Sequence, residues 1–123
     1  MTFEGQAKQF LEAWNTADPG RLSALLSADV RYSDAHFATP SVGPDPYVAF
    51  MLKVRSEFPQ MRFHLEGVDD HGVYGLIAWR LSGLRPDSST RGFFFARLDP
   101  AGRFSEVVGF SDPRRSDAPM SVS

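Results

Sequence analysis

The spacing of apolar and polar positions divides the chain into helical stripes first and alternating runs afterwards. Phe3, Ala7, Phe10, Leu11 and Trp14 recur at helical spacing, which predicts an amphipathic helix near residues 3 to 15 with an aromatic stripe. Asp18-Pro19 is a helix start, an N-cap acceptor followed by proline at the first helical position. Leu22, Leu25 and Leu26 give this short second helix its apolar side. Val30-Arg31-Tyr32-Ser33-Asp34 alternates and predicts a short strand with Val30, Tyr32 and Asp34 on one face. Residues 35 to 43 have no period and read as a loop carrying His36 and Phe37. Asp45-Pro46 repeats the capping signal, and Tyr47, Phe50, Met51, Val54 and Phe58 fall on one helical stripe that Pro59 ends.

From Arg62 onward the pattern alternates. Arg62 to Val68 predicts a strand that pairs with Val73 to Leu81, and Gly92 to Leu98 and Phe104 to Phe110 predict two more. Turn residues separate them: Asp70-His71-Gly72, Arg85-Pro86-Asp87-Ser88-Ser89 and Asp99-Pro100-Ala101-Gly102. The predicted order is helix, short helix, strand, helix and four antiparallel strands, an α+β domain over residues 1–112 with helices on one face of a curved sheet. Residues 113–123 are polar and proline-containing and predict a disordered tail. Phe94, Ala96 and Leu98 share one side of their strand while Phe93, Phe95 and Arg97 share the other. A sheet covered on one face is polar on its outer side, so Phe93 and Phe95 predict a second cover there, a homodimer through the outer face.

Composition narrows the function classes. The chain has 123 residues, 42% of them apolar, enough for one core, and its 11 phenylalanines predict a bulky aromatic interior. A net charge of −2 provides no footprint for nucleic acid or an anionic membrane surface. No run of about 18 apolar residues is present, and Met1-Thr2-Phe3-Glu4-Gly5 lacks the features of a signal peptide, so a cytoplasmic location is expected. The absence of cysteine excludes disulfides, thiol catalysis and thiolate metal ligation. With no glycine-rich phosphate loop and no serine elbow, the expectation is a chain without cofactor or metal.

Several segments carry a family likeness: Trp14-Asn15-Thr16-Ala17-Asp18, Ala28-Asp29-Val30-Arg31-Tyr32-Ser33-Asp34, Phe58-Pro59-Gln60-Met61-Arg62-Phe63, Ala78-Trp79-Arg80-Leu81-Ser82-Gly83 and Leu98-Asp99-Pro100-Ala101-Gly102-Arg103-Phe104. In order and spacing the chain resembles the nuclear transport factor 2-like superfamily and, within it, the SnoaL-like branch. The resemblance implies a cone, a cystatin-like roll whose sheet wraps the long helices around an apolar pocket, and dimers formed through the outer sheet face. It leaves the reaction open, because such domains include isomerases, cyclases, dehydratases, epoxide hydrolases and non-catalytic binders. By resemblance Asp34 matches the general base of ketosteroid isomerases. The two enolate-oxygen donors of those enzymes fall on Phe10 and Phe94, which cannot donate. The last-strand acid of SnoaL-like cyclases falls on Gly109, and Glu106 has the opposite parity.

Asp34, Tyr32 and His36 are the candidate catalytic residues. A carboxylate between aromatic walls loses hydration and becomes a better acceptor for a weakly acidic C–H proton; alternatively Asp34 caps the loop that follows it. Tyr32, roughly 6 to 7 Å away along the strand, could donate to a ligand oxygen lying between the two, or could be a core tyrosine. His36 either exchanges a proton with Asp34 or is an exposed loop residue. Trp14, Phe50, Val54, Phe58, Ile77, Trp79, Phe94 and Phe110 are the expected lining for a small apolar ligand, with Trp79 a second residue able to orient an oxygen. His64 and His71, near Asp69 and Asp70, sit on an outward strand position and a hairpin tip and share no coordination sphere. Two functions follow: proton transfer on a small, largely apolar carbonyl compound, of isomerase or cyclase type, or non-catalytic binding and dimerisation through the same surfaces.

Overall fold

The structure, a computed structural model, describes residues 2–112, so the predicted tail lies outside the described residues. Helix α1 (Phe3–Thr16) begins at Thr2, whose hydroxyl accepts the Gly5 N–H at 2.9 Å, and ends where Ala17 turns into the left-handed region at φ 51°. Its predicted stripe is the buried one: Phe3, Ala7, Phe10, Leu11 and Trp14 all face the core. Helix α2 (Pro19–Ala24) is capped by the Asp18 carboxylate, which accepts from the Arg21 N–H at 3.0 Å. The helix stops at Ala24, and strand β1 (Leu26–Ser33) starts well before the predicted alternation, because Leu26 pairs with Phe104. Leu26 is thus a strand residue and not part of the second helix.

Within the predicted loop, Ser41–Val42 form a short strand, β2, that pairs with β1 at Tyr32 and Arg31. Helix α3 (Pro44–Glu57) begins one residue before the expected cap. Gly43 takes the N-cap place at φ 88° without a side-chain cap, Pro44 opens the helix, and Asp45 lies in the first turn. Its carboxylate there still favours the helix dipole.

The remaining strands are β3 (Arg62–Asp70), β4 (Tyr74–Ser82), β5 (Ser89–Leu98) and β6 (Phe104–Asp112). They form one six-stranded sheet in the order β2-β1-β6-β5-β4-β3, antiparallel except where β1 runs parallel to β6. Register shifts at Leu65/Gly67 and Arg97/Leu98 break the flat ladder, as bulges do where a sheet curves. Two side-chain amides hold α1 in the concavity. Gln6 donates to the Gly102 carbonyl at 2.7 Å, and Asn15 exchanges two hydrogen bonds with the Phe63 backbone at 2.9 and 2.8 Å. The second contact gives edge strand β3 pairing that it lacks on that side.

The register fixes the faces. Phe94 and Ala96 are buried inward, while Phe93 and Phe95 are partly exposed on the outer face. Phe110 pairs with Phe93 and stacks on its ring at 5.0 Å, which puts it on the outer face, 46% exposed. Phe110, an expected lining residue, thus carries its ring on the outer face of the sheet. Ile77, opposite Phe94, is fully buried core.

Trp79 lies against Gly92 of β5. A Cβ on Gly92 would collide with the Phe110 carbonyl oxygen and come within 2.6 Å of the Trp79 ring. Gly92→Ala should therefore destabilise the fold by ~1–3 kcal/mol through overpacking and alter the near-ultraviolet circular dichroism of the displaced indole. An unchanged urea midpoint and spectrum would mean that Trp79 is not seated on Gly92.

Candidate functional site

Between α1, α3 and the sheet lies a cavity of about 1160 Å³. Its walls combine rings from every layer, among them Trp14 of α1, Phe50 and Phe58 of α3, Phe63 of β3, Trp79 of β4 and Phe94 of β5. Edge-to-face contacts join them: Trp14 to Phe63 at 5.4 Å, Phe63 to Trp79 at 5.3 Å and Phe37 to Phe50 at 5.0 Å. Phe10 and Phe94 meet at 5.4 Å, and Phe10 fills the core behind the cavity without closing it. Of the expected lining, Trp14, Phe50, Val54, Phe58, Trp79 and Phe94 border the cavity. Ile77 does not. Phe110 contributes to the lining, although its ring stacks outward on Phe93.

Asp34 sits one residue past the end of β1, its side chain 12% exposed, and the structure brings all three candidate catalytic residues together there. Tyr32 donates its hydroxyl to Asp34 Oδ2 at 2.5 Å. The His36 backbone N–H donates to Oδ1 at 2.7 Å, the capping bond expected of a loop aspartate, and the same oxygen lies 3.2 Å from His36 Nδ1. The His36 ring is 75% exposed and packs near Phe50 at 5.9 Å. The expected gap between Tyr32 and Asp34 for a ligand oxygen does not exist, because the long phenol leans along the strand and closes directly on the carboxylate. Gly109 gives it room: a Cβ there would stand 3.1 Å from the Tyr32 hydroxyl, 3.3 Å from Asp34 Cβ and 3.3 Å from the Phe94 ring.

Tyr47 is the residue that periodicity alone did not single out. It is fully buried on α3, with its ring 4.1 Å from Tyr32, and its hydroxyl accepts the Trp14 indole N–H at 2.9 Å. The signal was a lone tyrosine on an apolar stripe, since a buried phenol needs a hydrogen-bond partner. Burial raises the Tyr32 phenol well above its ordinary range. The neighbouring Tyr47 charge and the hydrogen bond to Asp34 push the same way. Burial likewise raises Tyr47, opposed by the hydrogen bond from Trp14. Among the described residues the Trp79 indole N–H is buried without a hydrogen-bond partner, on a residue that borders the cavity.

The remaining histidines lie elsewhere. His64 meets Ser82 at 2.9 Å, and desolvation, with Arg80 and Arg62 nearby, lowers its pKa. His71 stacks on Tyr74 at 5.1 Å at the hairpin tip and pairs with Asp69. Six strand residues lie between His64 and His71, which puts their Cα atoms roughly 20 Å or more apart. Among the described residues no three His, Asp or Glu side chains form a group able to hold a metal ion. Among them, too, no helix is long and apolar enough to cross a membrane.

The buried phenols have a measurable consequence. A raised folded-state value favours the protonated form, so this contribution to stability is complete below the unfolded phenol value of 10.0 and is lost as pH climbs through the folded-state values. The urea midpoint should fall between about pH 9 and about pH 11, and less so in Tyr32→Phe/Tyr47→Phe. Below the alkaline transition the tyrosinate absorbance of that variant should superimpose on the parent's. Extra absorbance from the folded parent would contradict the burial of both hydroxyls.

Solved structures place this geometry among relatives. A proposed isomerase of the SnoaL-like family from Agrobacterium tumefaciens shares 31% identity over 89% of this chain and 96% of its own, with a TM-score of 0.76. A proposed ketosteroid isomerase from Kribbella flavida shares 21% identity over 94% of this chain and 81% of its own, at a TM-score of 0.75. A proposed polyketide cyclase from Sinorhizobium meliloti shares 14% identity over 86% of this chain and 94% of its own, also at 0.75. The latter two likenesses bear on the fold alone, which is the cystatin-like, nuclear transport factor 2-like cone. No curated protein matches the chain at a significant level. Residues 7–107 match the SnoaL-like domain, and with the cone and its aromatic cavity this establishes that the chain belongs to the SnoaL-like domain family.

Proposed function

We propose that the chain binds a small, largely apolar carbonyl compound in the aromatic cavity and moves a proton on it, with Asp34 as acceptor. The observation that carries this reading is a carboxylate, 12% exposed and hydrogen-bonded at both oxygens, on the wall of a cavity lined largely by aromatic and aliphatic side chains, with Lys53, Glu57 and Thr90 among its other polar residues. Asp34 takes a proton from the carbon next to the carbonyl, and the bonding pair moves onto the carbonyl oxygen as an enolate. The Trp79 N–H, buried and unpartnered among the described residues, is the donor available to that oxygen. Return of the proton to a different carbon completes an isomerisation. His36, open to solvent and beside Asp34, provides an exit for the proton.

One observation favours a second reading, ligand binding without turnover. The family's two enolate-donor positions hold Phe10 and Phe94, packed against each other, and Asp34 makes the bond of a loop cap. Hydrogen–deuterium exchange separates the two. A panel of small enolisable ketones in deuterated buffer, followed by NMR, should show exchange catalysed by the parent and reduced about 10²–10⁴-fold in Asp34→Asn, while Trp79→Phe loses part of the rate. Ketones that bind without exchanging would establish the binding reading instead.

The outer face is proposed to seat a second copy of the chain. Register places Leu76, Phe95 and Val108 side by side, and next to them Ala78, Phe93 and Phe110, a continuous apolar band across β4, β5 and β6. Leu76 is 36% and Phe110 46% exposed. Phe93→Asp/Phe95→Asp should convert dimers to monomers in size-exclusion chromatography with light scattering. A parent that already elutes as a monomer ends the idea.

A further inference from the structure

We propose that Ser111 of β6 donates to the carbonyl oxygen of the ligand and, with the Trp79 N–H, makes up the oxygen-binding site of the cavity. The inference deepens the proton-transfer reading and rests on it for the reaction, though not for the binding. Register carries the argument. Trp79 of β4, Gly92 of β5 and Ser111 of β6 are cross-strand neighbours in one row, Trp79 paired with Gly92 and Gly92 with Ser111. Side chains alternate along β6, so with Phe110 stacked outward on Phe93, Gly109 and Ser111 share the inner face, and both border the cavity with Trp79.

Gly92 is what brings the two donors together. A Cβ there would stand 2.6 Å from Trp79 Cη2 and 2.7 Å from Cζ2, so the indole leaves β4 and lies over β5. Cζ2 is on the nitrogen side of the ring, two bonds from Nε1. Cross-strand side chains start roughly 4.5–5.5 Å apart, which sets Ser111 beside the indole edge that covers its neighbour. Nε1 is buried without a partner among the described residues. Ser111 is exposed to an entering ligand, and its hydroxyl too has no partner among them. An indole N–H and a serine hydroxyl can donate to one carbonyl oxygen, which has two lone pairs.

The spacing from the base suits a carbonyl compound. Asp34 Cβ lies 3.3 Å from the Cβ position of Gly109. Ser111 follows two residues along the same face, roughly 6–7 Å away. A ligand with its acidic C–H roughly 3 Å from the carboxylate and its oxygen roughly 3 Å from the hydroxyl spans a gap of that order. Asp34 takes the proton, the C–H pair becomes the carbon–carbon double bond of the enolate, and the carbonyl pair moves onto oxygen. Ser111 and Trp79 donate hydrogen bonds and keep their protons. Tyr32 does not fill this part, because its hydrogen goes to Asp34. The two donors absent at Phe10 and Phe94 are thereby supplied from β4 and β6.

Acetophenone labelled with ¹³C at its carbonyl is the probe. Hydrogen bonds to a carbonyl oxygen move its carbon resonance downfield, so the parent should shift it on binding. Ser111→Ala should lose part of that shift and slow exchange of the ketone's α-protons about 10–10²-fold, less than the loss of a buried donor, with far-ultraviolet circular dichroism unchanged. Ser111→Thr keeps the hydroxyl and should retain both. A parent that leaves the resonance unmoved overturns the oxygen site, as does a folded Ser111→Ala that shifts the carbonyl and exchanges the ketone as the parent does. The second result leaves exchange by the parent and its loss in Asp34→Asn standing. A carbonyl shift that is reduced in Ser111→Ala, with no exchange by the parent, supports the site and removes the reaction, so the two ideas fall separately.

Discussion

A phenol buried in an aromatic core must find a hydrogen-bond partner, and Tyr47 finds one in the Trp14 indole N–H. An unsatisfied buried hydroxyl costs about 1–3 kcal/mol, so the position of Trp14 is tied to that of Tyr47 as firmly as packing ties the surrounding rings. Trp14 on α1 and Tyr47 on α3 thus join the two long helices by a hydrogen bond, and Tyr47 meets Tyr32 of β1 by ring contact at 4.1 Å within an apolar core. Tyr32 in turn donates to Asp34, where β1 gives way to a loop on the wall of the cavity.

The Tyr32–Asp34 bond depends on a missing side chain. Gly109 stands where the resemblance places the acid of SnoaL-like cyclases, and any Cβ at this position would press on the Tyr32 hydroxyl and the base of Asp34. A carboxylate on Gly109 and the Tyr32–Asp34 bond therefore compete for one volume. The glycine is better understood as the counterpart of the tyrosine–aspartate pair than as an empty catalytic position. Gly92 serves Trp79 in the same manner on the neighbouring strand, where the indole lies flat against a residue with no side chain. Asp34, through Tyr32, and Trp79 thus each depend on a glycine of the neighbouring strand.

The architecture was legible because periodicity reports which face is buried. Phe3 to Trp14, Tyr47 to Met51, and Phe94 with Ala96 each point where their spacing predicts. Long-range pairing was not legible. Nothing local in Leu26 reveals a parallel partner at Phe104, and nothing in Ser41 reveals that it pairs with Tyr32. Phe110 shows how sharply register matters, since alternation makes a side chain's face depend on a count of one residue. At the site, Asp34, Tyr32 and His36 were found by residue type and strand position, and they do converge. The contact between Tyr32 and Asp34 was not predicted, because strand spacing gives the distance between Cα atoms and says nothing of where a long side chain leans. Tyr47 was recognised as core and missed as a partner for the same reason.

The two faces of the sheet are mechanically one object. β5 carries Phe94 inward and Phe93 and Phe95 outward; β6 carries Gly109 inward and Phe110 outward, with Phe93 and Phe110 stacked across the pair. The room for the Tyr32–Asp34 bond is therefore set by the placement of β6, since a side chain at Gly109 would stand 3.1 Å from the Tyr32 hydroxyl. Any partner that covers the outer phenylalanines constrains these same two strands and with them the carboxylate. The outer face proposed for a second copy and the wall of the cavity are thus opposite sides of the same two strands, β5 and β6.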